Sequence, residues 1–170
     1  VNSKENVQIK FSFVGNIRNQ IIEKYLISLK KHLINSEKID KAVKFDNEID
    51  LLLIEDFNTS GLTGDFKNQA INKRNNINSF WWDFNISNKK GISNKGGSRG
   101  IGRTVNIIAS KCRSFLTFSN RVDDNKNIIL GLSNLGHHRI DEKLHDTWGR
   151  YCSYESDEKQ IQPIELDNNE

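Results

Sequence analysis

Methionine is absent from this 170-residue chain, proline occurs once and cysteine twice, and no apolar run approaches the length needed to cross a bilayer. Each scarcity excludes something. Two cysteines, Cys112 and Cys152, cannot build a disulfide-stapled scaffold, and their separation matches no paired metal-ligand spacing; they are expected to be free thiols. With no secretory signal, a reducing cytoplasm is the expected compartment and no membrane is expected as a partner. The missing methionine, together with a chain that opens on Val1, suggests a fragment of a longer protein. Charge of one sign is also scarce in excess: 25 Lys and Arg against 22 Asp and Glu leave a net +3, too little to imply nucleic acid or a membrane surface.

What is present is enough for one domain with a core. Hydrophobic residues make up 35% of the chain, with a mean hydropathy of −0.65 that leaves a large polar surface. Residues 6–14, NVQIKFSFV, alternate Val7, Ile9, Phe11 and Phe13 with polar neighbours, the period of a half-buried strand. From Gln20 to Leu33 the apolar residues Ile21, Ile22, Tyr25, Leu26, Leu29 and Leu33 recur at helical spacing. Residues 49–57, IDLLLIEDF, contain an apolar run that ends in two carboxylates, predicting a strand buried on both faces. Glu55 and Asp56 are adjacent, so on a strand they point to opposite faces and only one of them can serve a given site.

About forty residues with little periodicity follow, Asn58 to Gly97, with a single apolar cluster at FWWDF (80–84); such a stretch suits a lid or binding loop. A helix is then expected from Gly102 onward, with Val105, Ile108, Ala109 and Cys112 on one face, and a hairpin with its turn near Asp123 to Asn127. Residues 153–170 read as a polar tail or the start of a following segment, leaving a domain over 1–152. The order strand, helix, strand, loop, helix, hairpin predicts an α/β (α+β) two-layer sandwich with a mixed, largely antiparallel sheet covered by helices.

The stretch with the clearest chemistry is GGSRGIGRTV (96–105): four glycines, two arginines and two hydroxyl side chains in ten residues. Glycines let the backbone approach phosphate, and the helix beginning near Gly102 offers oriented N–H groups. Gly97, Ser98, Arg99, Gly100, Ile101, Gly102, Arg103 and Thr104 are therefore the candidate phosphate-binding residues. Read as Gly97, four residues, Gly102, Arg103 and Thr104, the stretch also approaches a P-loop, but the lysine position holds arginine and the polar NISNKKGISNKG upstream is no buried strand. A second box, IEDFNTSGLTG (54–64), places Asp56 where it can accept a hydrogen bond from an exocyclic amine, with Asn58 and Gly61 leaving room for a flat base.

Together, IEDFNTSGLTGD, FWWDF, GGSRGIGRTVNIIAS and LGHHRIDEKLHDTWGRY resemble the GHKL ATPases, the superfamily of gyrase, the heat-shock chaperone ATPases, histidine kinases and MutL. They are most similar to the MutL- and MORC-like members of bacterial restriction and phage-defence systems. The resemblance covers roughly residues 6–151. It implies a Bergerat-type nucleotide-binding fold with a long lid loop, in which Asp56 takes the adenine amino group and 97–104 lie under the phosphates of ATP. It also implies Mg²⁺ as cofactor, a nucleotide-dependent dimer, and a DNA or nuclease partner engaged through parts beyond this chain. Asn58 stands where the family has glycine, and one extra residue precedes Gly61. The family's helix carrying the catalytic Glu and the Mg²⁺-binding Asn would lie before Val1, so no catalytic or metal-ligating residue is assigned here, and ATP hydrolysis would belong to the intact protein.

Two other readings stay open: a P-loop-like nucleotide enzyme using Gly97–Thr104, and a non-catalytic nucleic-acid-binding module using the basic loop from Lys89 to Arg103. His137, His138 and His145, with Cys152, form no recognisable zinc pattern and read as exposed or structural histidines. Trp81 and Trp82 read as packing residues rather than a stacking platform for bases.

Overall fold

The computed structural model describes residues 6–17, 20–40, 49–65, 102–155 and 160–166. The chain forms two compact units, one from residues 1–60 with 135–147 and the other from 61–134 with 148–170. Both are mixed α and β, and every strand pairing among the described residues is antiparallel. Among the described residues the architecture is therefore α+β, rich in strands and poor in helix.

In the first unit, β1 (Gln8–Ile17) pairs with β2 (Ile49–Phe57) as a two-stranded ribbon. The register sets Phe13 against Leu52, Phe11 against Ile54, Lys10 against Glu55 and Ile9 against Asp56. The expected opposition of Glu55 and Asp56 follows: Glu55 shares a face with Lys10, whose ammonium lies 3.2 Å away, and Asp56 shares the other with Ile9. The expectation that β2 is buried on both faces is corrected. Leu52, Leu53 and Ile54 are all exposed, as are Phe11 and Phe13 on β1. The apolar run does not report burial here because, among the described residues, the ribbon has two strands and no flanking strand to cover it.

Helix α1 (Gln20–Asn35) buries Tyr25, Leu29 and Leu33, spaced four apart, while Ile27 and Ile34 face outward. It packs on β5 (His138–Ile140), which forms a hairpin with β6 (Lys143–His145). The two-residue turn of that hairpin, Asp141 and Glu142, has positive φ at both positions, +49° and +65°, the twist a tight hairpin demands. Past the end of α1, Ser36 donates its hydroxyl to the Leu135 carbonyl at 2.6 Å and accepts from the Lys38 amide at 3.1 Å. Both ends of the unit's discontinuous chain are thereby tied together.

The second unit is built around β4 (Asn127–Asn134), whose six central residues are all buried. One edge pairs along its length with β3 (Ser114–Asn120); the other is shared by β10 (Ile164–Leu166) at one end and β7 (Trp148–Tyr151) at the other. The β3–β4 connection falls at Arg121–Lys126, where the sequence placed the turn. Ile128, Leu130 and Leu132 alternate onto one face and meet Ile107 of α2 (Gly102–Ala109), with Leu62, Phe115, Trp148, Cys152 and Ile161 around them. Each such side chain contributes about 1.5–3 kcal/mol on burial.

The buried face of α2 differs from the expected one. Val105 and Ile108 are exposed and Ile107 is the docking residue, with Thr104 half-buried one turn before it. Cys112 lies past the helix end, in a turn. A helix of two turns docks through one large side chain, and the choice between Ile107 and Ile108 depends on the rotation the sheet imposes. Residues 153–166, expected within the polar tail, contribute β8 (Ser153–Glu155) paired with β9 (Gln160–Gln162), and β10, with Gln162 and Pro163 buried. Both cysteines are free, and burial pushes each thiol up from its ordinary value.

Candidate functional site

Asp56 is the penultimate residue of β2, on an exposed position of the strand that the bulge-free end of the ribbon presents. Two residues later Asn58 takes a left-handed backbone, φ +62°, and its amide nitrogen donates to the Asn6 carbonyl at 3.0 Å. That bond crosses the open end of the ribbon and fixes the exit of β2. Asparagine accepts this conformation more readily than most residues.

Gly61 is also left-handed, φ +68°, and belongs to the second unit, so the expected base-side residues divide between the two units. A Cβ on Gly61 would lie 2.1 Å from the Asn120 carbonyl oxygen and 2.8 Å from the Ser119 hydroxyl. The close approach that requires glycine here is therefore to β3.

Of the phosphate-side residues, Gly102, Arg103 and Thr104 open α2, so the helix starts where the glycine box ends. Amides of a first helical turn have no partner within the helix, and no acidic side chain stands in this one. Gly97, Ser98, Arg99, Gly100 and Ile101 lie outside the described residues, as do Trp81, Trp82 and nearly all of the basic loop from Lys89. The side chain of Arg103 is likewise outside them.

The residue that organises the segment after the acidic box is Arg121, which the sequence reading passed over. Its side chain is 3% exposed. Nη1 donates to the Leu62 carbonyl at 2.6 Å, Nη2 to the Gly64 carbonyl at 2.7 Å, and Nε to Asp124 Oδ1 at 3.0 Å. The planar fork is thus saturated in three directions, an arrangement no lysine reproduces. Two further bonds close the clamp: the Leu62 amide donates to Ser119 Oγ at 2.8 Å, and the Gly64 amide to Asp123 Oδ2 at 2.6 Å. The Arg121 hydrogen bond holds the Asp124 carboxyl below its usual range, against a smaller opposing effect of burial. Residues 61–65 are in this way fastened to the β3–β4 hairpin. The available signal in the sequence was an arginine two and three residues before a pair of aspartates at a turn.

A second grouping lies in the first unit. His138 and His145 are directly opposite each other across the β5–β6 hairpin, and His32 of α1 meets both, with ring centroids 5.1 Å and 4.8 Å away. His138 Nδ1 lies 2.8 Å from the Gly136 carbonyl, which can only accept, so Nδ1 carries a proton. In the neutral state His138 Nε2 is then an acceptor, and His32 Nδ1, 2.9 Å away, is its donor. Burial, and after it the charges of His145 and His138, lower the pKa of His32. His137 is not in this group; it is exposed and stands 3.8 Å from Asp146. Spacing could not bring His32 forward, because its partners lie more than a hundred residues along the chain. Among the described residues no set of three or more His, Cys, Asp or Glu is arranged to hold a metal ion, and no helix is long and apolar enough to cross a membrane.

Comparison of the chain with protein-family models, with curated proteins and with solved structures finds no match in any of the three.

Proposed function

We propose that this chain binds ATP, as the nucleotide-holding part of a GHKL-type ATPase with a Bergerat-like arrangement. Asp56 accepts the adenine amino hydrogen bond, and the backbone amides and side chains of Gly97 to Thr104 hold the phosphates, with Arg99 and Arg103 supplying charge. The observation that carries the reading is the start of α2 at Gly102, immediately after the glycines, where the first-turn amides and the helix dipole favour an anion. The exposed carboxylate at the end of β2, followed by the left-handed Asn58, supports the base side of the same reading.

Magnesium enters with the nucleotide, since Mg²⁺ is bound largely by phosphate oxygens and water rather than by a dedicated protein cage. No residue of the described chain is assigned to it. A cytoplasmic setting and a DNA-acting or nuclease partner belong to the same proposal.

Calorimetry with ADP and Mg²⁺ on the wild type and on Asp56→Ala tests it. Binding by the wild type, weakened about tenfold or more in the variant, is the expected result, one lost charged hydrogen bond being worth about 1.5–3 kcal/mol. Equal affinity in both proteins removes Asp56 from the site. DNA binding that falls steeply with salt and ignores ATP would favour the nucleic-acid reading of the basic loop instead.

A further inference from the structure

All four histidines of the chain fall in the first unit, and three of them meet in one place. His32 comes from the last turn of α1, His138 opens β5 and His145 closes β6. The cluster sits where α1 packs on the hairpin, with His32 beside Leu33 and one turn beyond Leu29. His138 is buried, and His32 and His145 are half-buried. The rings of His138 and His145 lie 15° from parallel, and among the described residues no three groups converge on a metal ion. Protons are what the grouping can exchange. His138 Nδ1 donates to the Gly136 carbonyl and Nε2 accepts from His32 Nδ1, which leaves His32 Nε2 as the bare basic nitrogen. The charged side chains on the same elements stand in water: Lys31 on α1, Arg139 on β5, bonded to the Glu142 carbonyl, and Lys143 on β6. Asp146, just after β6, is exposed and stands near His137, and the Lys38 side chain passes alongside Gly136. Among the described residues no carboxylate bears on His32; burial acts there, and after it His145 and His138.

We propose that the His32, His138 and His145 cluster is an acid-operated latch: neutral, it holds the end of α1 on the β5–β6 hairpin, and on taking up more than one proton it releases α1 while the second unit stays folded. The first proton goes to His32 Nε2. His32 Nδ1 still donates to His138, now as a charge-assisted bond, so the closed form tolerates that proton. A second proton has two places to go. On His138 Nε2 it sets two N–H donors against each other across 2.9 Å, with no acceptor between them. On His145 it puts a second imidazolium 4.8 Å from the first, centroid to centroid, in a half-buried site with no carboxylate to offset it. Closed, the cluster therefore carries at most one proton, whereas imidazoles released into water each take one up near pH ~6.5. Opening absorbs two protons or more. Between about pH 7.5 and about pH 5.5, each imidazole that charges only on opening raises the open population about tenfold, so two raise it about a hundredfold. The sign follows from the closed form favouring neutral rings: the latch is shut above the ordinary histidine value and opens as pH falls through and below it. The second unit contains no histidine and has no such dependence in this range. Nothing in the latch requires a nucleotide.

Hydrogen exchange of the 170-residue chain, followed by mass spectrometry, reads the latch directly. A peptide covering residues 25–35 reports on α1, and one covering 127–134 in the same sample reports on β4, so their ratio cancels the chemical pH dependence of exchange. From about pH 7.5 to about pH 5.5 the rate for α1 relative to β4 is expected to rise about a hundredfold or more, or until α1 has no protection left. A rise short of about thirtyfold in an α1 that keeps its protection is nearer to one imidazole than to two, and overturns the proposal. Equal acceleration of the two peptides also overturns it, because that is unfolding of the whole chain and not release of α1. His145→Phe keeps a ring in the cluster but cannot take a proton, and is expected to cut the response about tenfold. An unchanged response in that variant would show that the three rings do not titrate as a group. His137→Asn, at the exposed histidine outside the cluster, is expected to respond as the wild type does, and loss of the response there would place the acid sensor elsewhere.

Discussion

Replacing Arg121 by alanine removes the side chain that ties both the Leu62 and the Gly64 carbonyl to the β3–β4 hairpin. The guanidinium donates two charged hydrogen bonds to carbonyls, those of Leu62 and Gly64, at 2.6 and 2.7 Å. Bonds from a charged donor contribute about 1.5–3 kcal/mol each. Both carbonyls belong to half-buried residues, so water replaces part of what is lost and the lower figure applies to each. The Asp124 partner is well exposed and its ion pair adds little in solvent. The loss is therefore about 3 kcal/mol, read from urea denaturation. Arg121→Lys keeps the charge but not the fork and should lose about two thirds as much. A local readout accompanies the global one. The amides of Leu62 and Gly64 are bonded to Ser119 and Asp123, so hydrogen exchange of a peptide spanning 61–65 should accelerate in Arg121→Ala well before global unfolding. A loss below about 1 kcal/mol, with exchange at 61–65 unchanged, would refute the clamp.

Gly61→Ala should destabilise the chain by at least about 2 kcal/mol without any nucleotide present, because a left-handed backbone and the Asn120 carbonyl both oppose a Cβ; a wild-type denaturation midpoint would count against this packing. Leu130→Ala, at a fully buried position on β4, should cost about 3 kcal/mol by the same measurement. His32 has its pKa lowered from 6.5 by burial and by His145 and His138, so the unfolded chain takes up its proton more readily than the folded one. Its contribution to stability is complete above that ordinary value and is lost as pH falls from there through the lower folded value. Urea midpoints between about pH 8 and about pH 5 should decline, less steeply in His32→Asn, and parallel slopes would remove His32 from the pH dependence. Cys112 and Cys152, both raised by burial, should react with iodoacetamide at neutral pH far more slowly than a free thiol in solution, and rapid labelling of the native chain would contradict their burial.

Local patterns carried the elements. Period-two alternation placed β1, the apolar run placed β2 at 49–57, the four-residue spacing of Tyr25, Leu29 and Leu33 placed and oriented α1, and the polar DDNKN placed the β3–β4 turn. These succeed because strand, helix and turn preferences act between residues a few positions apart. The short strands β5 to β10 were not visible, since three or four residues carry too little pattern to stand out from a polar loop. For the candidate site, the sequence marked Asp56, Asn58 and the start of α2. It did not mark Arg121 or His32, whose partners lie about sixty and more than a hundred residues away.

By itself, then, the sequence determined the longer strands β1 to β4 and the helices α1 and α2, that α1 has one buried face, and that a glycine box leads into a helix. Tertiary structure alone decided burial and partnership. An apolar run records only that a segment is able to be buried, and whether it is depends on what the rest of the chain packs against it. Thus the apolar face of β1 and β2 stays open, Ile107 rather than Ile108 enters the core, and Gly61 is a glycine because β3 runs 2.1 Å from where its Cβ would be.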